Sequence, residues 1–257
     1  MTILANQEKK PHYLMGLMGL TAFATVTINT PAVAEPRLYL ETGGQESLNL
    51  DPNGLAILEG IGLTLNSANS TTTPKPGFDI GALMLPPSST PGVRGTTAVF
   101  LYDDDDGFYF PVSGTEEFLG TLVFDVDNNL LPGLDSQFVF GNFSNIFDET
   151  FTTVIRDTSG ISLPPLFPAL EVANDRPPNV DLTTGTWFLE DIEIVISQEL
   201  SDFLVAAGAS QSVAGVPFAE ARGDRTFVLL SVPEPSMITA ILTTGLAAFS
   251  LRKRKSN

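Results

Sequence analysis

Hydrophobic and polar residues alternate over short stretches in the middle of the chain. In the segment GTLVFDVD, Leu122, Phe124 and Val126 fall on one side of an extended strand, and the side chains between them fall on the other. The same period of two places Leu38 and Leu40 on one side of the segment RLYLE. Because no long segment keeps the 3.6-residue apolar period of a helix, the pattern predicts an all-β chain.

A longer alternating segment, GTWFLEDIEIVIS, predicts another strand, whose three isoleucines lie on the side opposite Asp191 and Glu193. The segment DRTFVLLSV predicts the last strand. A Gly-Thr pair precedes three of the predicted strands, at residues 95–96, 120–121 and 185–186. Glycine supplies a turn with positive φ and threonine starts a strand, so this recurrence indicates turn chemistry rather than an internal repeat.

Strands of this length, separated by turns rich in Gly, Pro, Asn and Asp, predict an antiparallel β-sandwich of the jelly-roll or immunoglobulin-like type. Two stretches interrupt the pattern: residues 66–94, rich in Ser, Thr and Pro, and residues 158–184, which include LPPLFPAL. Both are predicted to be long loops or linkers, and the second is a candidate division between two lobes. The chain has 18 phenylalanines for a core and no cysteine for a disulfide.

The charge balance is strongly acidic. Against 30 acidic residues the chain carries 13 basic ones, for a formal net charge of −17. Between residues 35 and 232 the imbalance is larger, with 28 acidic residues and seven basic ones. Such a surface repels phosphate backbones, so nucleic acid is not expected as a partner, whereas divalent cations and a salty exterior suit it.

Several kinds of catalytic site are excluded by composition. The chain has no cysteine, and its one histidine is His12, near the N-terminus. Zinc sites built from Cys and His, Cys nucleophiles and, in the middle of the chain, Ser-His-Asp triads are therefore excluded. Carboxylate chemistry is the common catalytic route that remains, and no pair of carboxylates stands out for it. The chain is expected not to be an enzyme.

The N-terminus has the three parts of a secretory signal peptide. Lys9 and Lys10 form a positive region, residues 14–28 form an apolar core, and the small residues Ala32 and Ala34 mark a cleavage site. The first 34 residues are therefore predicted to be a signal helix that the Sec translocon and signal peptidase recognise.

The C-terminus also has three parts in order. A stiff Pro-Glu-Pro is followed by residues 237–251, which carry no charge, and then by four basic residues. A full membrane span needs about 20 apolar residues, so the predicted transmembrane helix is short, and the basic cluster would stay on the cytoplasmic side. The residues of the two polar parts are Val232, Pro233, Glu234 and Pro235, and then Arg252, Lys253, Arg254 and Lys255.

This order resembles the PEP-CTERM sorting domain of bacterial surface proteins, over about 25 of the 257 residues. The resemblance implies recognition by an exosortase, a membrane transpeptidase-like enzyme, with processing near the Pro-Glu-Pro. It also implies Sec export and an association with extracellular polysaccharide and biofilm in Gram-negative-type bacteria and cyanobacteria. Residues 35–232 are then the passenger domain, and residues 233–257 are the sorting domain, which is transiently anchored in the inner membrane.

The segment LYDDDDGFYF is the most unusual stretch of the passenger. Asp103, Asp104, Asp105 and Asp106 are expected to project into solvent at a turn between two strands, because adjacent bare charges are too costly to bury. One hypothesis is a Ca²⁺ site, with the neighbouring tyrosines Tyr102 and Tyr109 stacking on sugar rings. The other is a solvated hairpin tip that opposes edge-to-edge association, and it is favoured because calcium loops space their ligands.

Four further features are interpreted as structural. The segment DVDNN (125–129) lacks the glycine and the final glutamate of a calcium loop, so it is interpreted as a strand end with a polar turn. The Arg-Gly-Asp in ARGDR (221–225) is interpreted as a turn before the last strand. Glu116 and Glu117 are expected on opposite faces of a strand, and Trp187 is expected in the core.

The sequence as a whole predicts an exported, non-catalytic surface or extracellular-matrix protein with a structural or adhesive role among polysaccharides. One alternative is a secreted carbohydrate-binding module, which Ca²⁺ at Asp103–Asp106 could assist; no other cofactor is expected. A second, less favoured alternative is a carboxylate-dependent hydrolase of matrix glycans.

Overall fold

The computed structural model describes residues 36–147, 153–173 and 176–230. Strands predominate in these ranges, and two short helices accompany them. The strands are β1 (Arg37–Leu50), β2 (Leu63–Asn69), β3 (Ile80–Met84), β4 (Val99–Asp103), β5 (Phe108–Ser113), β6 (Glu116–Glu117), β7 (Thr121–Val126), β8 (Gln137–Gly141), β9 (Ser144–Phe147), β10 (Thr153–Asp157), β11 (Phe167–Val172), β12 (Asn179–Asp181), β13 (Thr186–Ile196) and β14 (Pro217–Leu229). The helices are α1 (Pro52–Gly60) and α2 (Gln198–Ala207).

In the described ranges, eleven strands form one antiparallel sheet in the order β5-β4-β1-β14-β13-β11-β10-β9-β6, with β12 on β13 and β3 on β1. Its centre is the pair of long strands β1 and β14, which run together from Tyr39 opposite Leu229 to Leu50 opposite Ala219. A bulge after Glu41 shifts the register of this pair. The first and last strands of the described chain therefore lie side by side.

A smaller sheet of β2, β7 and β8 adds its apolar face to the same core. Leu122 and Phe124 on β7 are buried and Val126 is half-buried, as the alternation predicted. Phe140 on β8 contacts Phe218 on β14 with the ring centroids 5.8 Å apart, so the two sheets share apolar contacts.

The inner face of the large sheet carries two separate apolar clusters. The main one includes Ile192, Ile194 and Ile196 of β13, while Asp191 and Glu193 are exposed, as predicted. The smaller one is aromatic, and its buried members are Tyr39, Phe100, Trp187 and Phe227. Within β14, Phe227 belongs to the small cluster and Ala221 belongs to the main one. Arg225 lies between these two residues along the strand.

The two helices were not predicted, because each is too short to show a helical period. In α1, the Asp51 side chain caps the helix by accepting from the Gly54 amide at 2.7 Å, and Pro52 occupies the first turn. In α2, Ser197 accepts from the Leu200 amide at 3.0 Å. Both capping patterns were present in the sequence as local signals.

The prediction of an all-β antiparallel fold is confirmed, whereas its jelly-roll or immunoglobulin-like type stays a prediction. The two predicted loops are corrected: residues 66–94 contain β3, and residues 158–184 contain β11 and β12. Because β11 pairs with both β10 and β13, the second stretch is part of the large sheet. Prolines misled the prediction here, since Pro168 is tolerated at an irregularity between β10 and β11.

Two of the three Gly-Thr pairs behave as expected. Gly120 and Gly185 have positive φ and the next threonine begins a strand. Gly95 has no positive φ, and β4 begins only at Val99. Leu38 and Leu40 share a face of β1, but the buried residues of this stretch are Tyr39 and Glu41 on the other face.

The predicted signal helix (1–34) and the predicted transmembrane helix (237–251) lie outside the described residues. Within the ranges given above, neither helix has the length and apolar character needed to cross a membrane.

Candidate functional site

The first and last residues of the described chain lie next to each other at one end of the large sheet. The amide of Leu230 donates to the carbonyl oxygen of Leu38 at 2.9 Å, so the last described residue is still bonded to β1. On its other side β1 pairs with β4, where Arg37 lies opposite Tyr102. The exit of the chain, the start of β1 and the β4–β5 hairpin therefore share one end of the large sheet.

The acidic run lies at the turn of this hairpin, as predicted. Asp103 ends β4 opposite Phe108, and Asp104, Asp105 and Asp106 are exposed. Two of the carboxylates stabilise the turn itself: Asp103 accepts from the Asp105 amide and Asp106 from the Phe108 amide, both at 3.0 Å. Such side-chain bonds to the backbone two residues on are typical of Asp in turns.

The hairpin geometry gives the calcium hypothesis no further support. Among the described residues, no three His, Cys, Asp or Glu side chains are grouped so that they could hold a metal ion. Tyr109 is not free to stack on a sugar, because its ring contacts Phe100 at 5.0 Å and Trp187 at 6.2 Å in the small aromatic cluster. The calcium site at Asp103–Asp106 stays a prediction.

A buried charge cluster separates the two apolar clusters of the sheet, and we define it by Glu41, Glu46, Glu116 and Arg225. The side chain of Arg225 is only 3% exposed. Its Nε and Nη2 donate to the two oxygens of Glu116 at 2.8 and 2.9 Å, and Nη2 also donates to Glu46 at 2.6 Å. One guanidinium thus joins β14 to β1 and β6.

Arg225 is also held by aromatic rings and by close backbone packing. Its guanidinium carbon lies 4.8 Å from the ring centre of Phe118 and 5.0 Å from that of Trp187, as in cation–π contacts. Gly44 lies opposite Arg225 in the β1–β14 register. A Cβ at Gly44 would lie 2.1 Å from the carbonyl oxygen of Asp224, so glycine is needed for β1 to approach β14 here.

The carboxyls of the cluster differ in their affinity for protons. Burial raises the pKa of Glu41 well above its usual value, and the neighbouring Glu116 adds to this effect. For Glu116, burial alone would raise the pKa, but Arg225 outweighs it and the pKa is lowered. Burial also raises the pKa of Tyr109, with Glu41 and Glu116 adding to it. These are the shifts expected of a cluster with more carboxyls than cations.

A second arginine cluster lies around Arg94. Its Nε and Nη2 donate to Oε2 of Glu117 at 3.0 and 2.8 Å, and Nη2 also donates to the Asn142 carbonyl oxygen at 2.8 Å. The other oxygen of Glu117 accepts from the Ser144 hydroxyl at 2.7 Å. Glu116 and Glu117 therefore bind different arginines from opposite sides of β6, as the sequence predicted for neighbouring strand residues.

The prediction that Arg-Gly-Asp forms a turn is wrong. The whole of ARGDR lies inside β14, paired with β1 from Leu48 to Gly44. Arg222 is bound by Asp224 and Glu190 on the outer face, whereas Arg225 points inward. The prediction assumed that the glycine of this motif marks a turn, whereas it lies in the middle of a paired strand.

Other sequence predictions concern single residues. Trp187 is buried, as predicted, and its Nε1 donates to Glu41 at 3.1 Å. In DVDNN, Asp127 accepts from the Asn129 amide at 2.9 Å, which is the polar turn that was expected.

The predicted cleavage residues Ala32 and Ala34 lie outside the described residues. The same is true of the sorting residues, Val232 to Pro235, and of the basic cluster, Arg252 to Lys255.

Sequence reasoning missed the buried charge cluster. One signal was present: two adjacent glycines, Gly43 and Gly44, inside a strand pattern indicate a bulge or a close backbone approach. The pairing of Arg225 with glutamates 109 and 179 positions away depends on the sheet and has no local signature.

Comparison with known families matches residues 231–255 to the PEP-CTERM protein-sorting motif. The match begins one residue after Leu230 and includes both the Pro-Glu-Pro and the basic cluster. It confirms the resemblance inferred at the C-terminus and indicates an exported protein that an exosortase sorts. Neither curated proteins nor solved structures gave a match.

Proposed function

We propose that this protein is a structural or adhesive component of the cell surface or extracellular matrix, where it acts among exopolysaccharides and in biofilm. The observation that carries the proposal is the PEP-CTERM motif at residues 231–255, which indicates export and surface sorting by an exosortase. The motif follows directly on a residue that is bonded to β1.

The location that we propose is the surface or matrix of a Gram-negative-type bacterium or cyanobacterium. The signal peptide sends the passenger out through the Sec translocon, and the helix at 237–251 holds it in the inner membrane until processing near Pro233-Glu234-Pro235. Its short length and the basic cluster after it support a transient anchor. The proposed partners are the exosortase, signal peptidase and extracellular polysaccharide.

We propose a non-catalytic passenger because three of its buried carboxylates are held by arginines. Glu46 and Glu116 are bound by Arg225, and Glu117 is bound by Arg94. Each of these glutamates joins strands and is at most 15% exposed at its side chain. Buried counter-ions of this kind suit a rigid surface module, and the contact between the two sheets at Phe140 and Phe218 supports a sandwich arrangement.

A carbohydrate-binding module is the second candidate function. Phe108 and Phe110 on β5 stack with their planes 8° apart, and Phe108 is 39% exposed beside the acidic hairpin. An exposed aromatic on an edge strand is the kind of group on which a sugar ring stacks. The packing of Tyr109 weakens this alternative, since the ring of this half-buried residue already contacts Phe100 and Trp187 of the small aromatic cluster.

The test is a change in the sorting motif in a host that has an exosortase. In the full chain, Glu234→Ala is expected to leave the C-terminal tail uncleaved and to keep the protein in the membrane fraction. Mass spectrometry of the C-terminus and cell fractionation measure this, and Glu220→Ala on the exposed face of β14 is the matched control. Equal processing of both variants would contradict exosortase sorting.

The structural role requires a separate measurement. A strain without the protein is expected to form a matrix that retains less polysaccharide, and re-expression of the full chain should restore it. An unchanged matrix, together with normal sorting of the protein, would refute the structural role alone.

A further inference from the structure

Glu41 is the carboxyl of the buried charge cluster that receives no bond from the cation. The residue is 2% exposed, and its Oε1 accepts from Trp187 Nε1 at 3.1 Å. No donor among the described residues reaches Oε2, although this atom is fully buried. A buried polar atom without a partner is costly, so its environment must supply a hydrogen or accept one.

The arginine has no hydrogen left for Glu41. A guanidinium has five N–H hydrogens. Nε donates to Glu116, and Nη2 donates to Glu116 and Glu46. The two hydrogens of Nη1 go to the carbonyl oxygens of Gln45 at 2.7 Å and of Asp224 at 3.3 Å. All five are used, and Glu41 is left beside the carboxylate of Glu116.

We propose that Glu41 is a neutral carboxylic acid in the folded protein and donates its proton from Oε2 to Glu116. The bond would satisfy the buried Oε2 and give Glu116 an additional donor. It would also reduce the cluster from three negative charges around one arginine to two. The proton is then a structural component of the fold, which ties β1 to β6 between the two apolar clusters.

The groups around Glu41 agree with this proton position. Those that titrate or carry charge are Glu116 on β6, Tyr109 on β5 and Arg225 on β14. Glu116 opposes a charge on Glu41, Tyr109 carries none, and the single cation is shared with Glu46 and Glu116. Two like charges in one buried site keep one of the pair protonated.

The stability of the folded protein is expected to depend on pH through Glu41, independently of export and sorting. The folded protein holds the proton of Glu41 to higher pH than the unfolded chain does, since burial raises the pKa of Glu41 well above 4.5. In that range the folded state binds more protons, so stability falls as pH rises. The stability that protonated Glu41 contributes is fully present below the pKa of this residue in the unfolded chain. It is lost as the pH rises through the pKa of Glu41 in the folded protein. The protein is therefore expected to lose stability at this cluster as the pH rises through the folded-state pKa of Glu41.

The chain contains a natural reporter for the test. Trp187 is its only tryptophan, and it is bonded to Glu41. In the full chain, tryptophan emission is expected to change in a pH titration with a midpoint well above 4.5, as Glu41 ionises. Glu41→Gln keeps the shape and provides an amide donor for Glu116, so this variant should lose the transition and keep the wild-type thermal midpoint at neutral pH.

The control is Glu220→Gln, on the exposed side of β14, which should titrate like the wild type. A Glu41→Gln protein that keeps the emission transition would overturn the proposal. If this variant fails to fold, the infrared spectrum of the wild type at neutral pH decides: a protonated carboxylic acid band in the folded protein, absent after unfolding, is expected. A spectrum without that band would mean that Glu41 is ionised and would refute the proposal.

Discussion

Arg222 and Arg225 are three positions apart on β14, and they show how one strand uses the same residue type in two ways. Arg222 is 24% exposed at its side chain and is bound by Glu190 and by both oxygens of Asp224. Arg225 is 3% exposed and is bound by Glu46 and Glu116. The two side chains lie on opposite faces of the sheet because residues an odd number apart alternate.

The two arginines differ in whether water could solvate their carboxylate partners after the arginine is removed. Around Arg222 water can solvate the carboxylates if the arginine is removed, so the pairs contribute little to stability. Around Arg225 the carboxylate side chains are at most 15% exposed, so removing the arginine would leave them as largely buried charges without a counter-ion. The number of ion pairs on the two arginines is similar, so burial decides their importance.

The largest expected effect is therefore that of Arg225→Met, compared with Arg222→Met. Arg225→Met should lower the free energy of unfolding by about 3–5 kcal/mol, whereas Arg222→Met should lower it by less than about 1 kcal/mol. Urea unfolding followed by circular dichroism measures both. Tryptophan emission is unsuitable here, because Trp187 contacts Arg225. Equal losses in the two variants would show that Arg225 does not stabilise the core through its charge.

An intermediate effect is expected at Arg94, whose side chain is 32% exposed and which also bonds backbone carbonyl oxygens. Arg94→Met should lower the free energy of unfolding by about 1–3 kcal/mol, because the buried Glu117 and these carbonyl oxygens lose a shared donor. Arg94→Lys keeps the charge but not the forked geometry, so it should recover only part of the loss. A full recovery by lysine would mean that charge alone matters at this position.

The smallest effect is expected at the acidic hairpin. Asparagine keeps an oxygen at every position, so replacing Asp103 to Asp106 by Asn together should preserve the turn bonds and leave the thermal midpoint unchanged. Addition of millimolar Ca²⁺ should shift the midpoint of neither protein if the run is a solvated tip. A wild-type midpoint that rises with Ca²⁺, and an Asn variant that does not respond, would support a metal site instead.

The sequence predicted those parts of the fold that one strand determines by itself. The alternation of β7 and of residues 192–196 in β13 identified the buried residues correctly, because these residues face the main apolar cluster. The turn position of the aspartates followed from the cost of burying adjacent charges. At β1 the positions of Leu38 and Leu40 did not identify the buried face, which carries Glu41 instead. The burial of Glu41 depends on partners from three other strands, which the local pattern does not show.

For the site, the sequence predicted the sorting motif and missed the charge cluster. The motif consists of consecutive residues, and an enzyme that reads a linear segment needs only their order. The cluster brings together residues as far apart as Glu41 and Arg225, and it exists only when β1, β6 and β14 are assembled.

The sequence by itself determined the β class, the exposed acidic turn and the sorting signal at the C-terminus, because each depends on a local pattern or a local charge. The tertiary structure decided which charges are buried, that Arg-Gly-Asp lies in a strand, and that both ends of the described chain meet at one end of a sheet. Burial and long-range pairing depend on the neighbours that a strand acquires, and those neighbours come from distant parts of the chain.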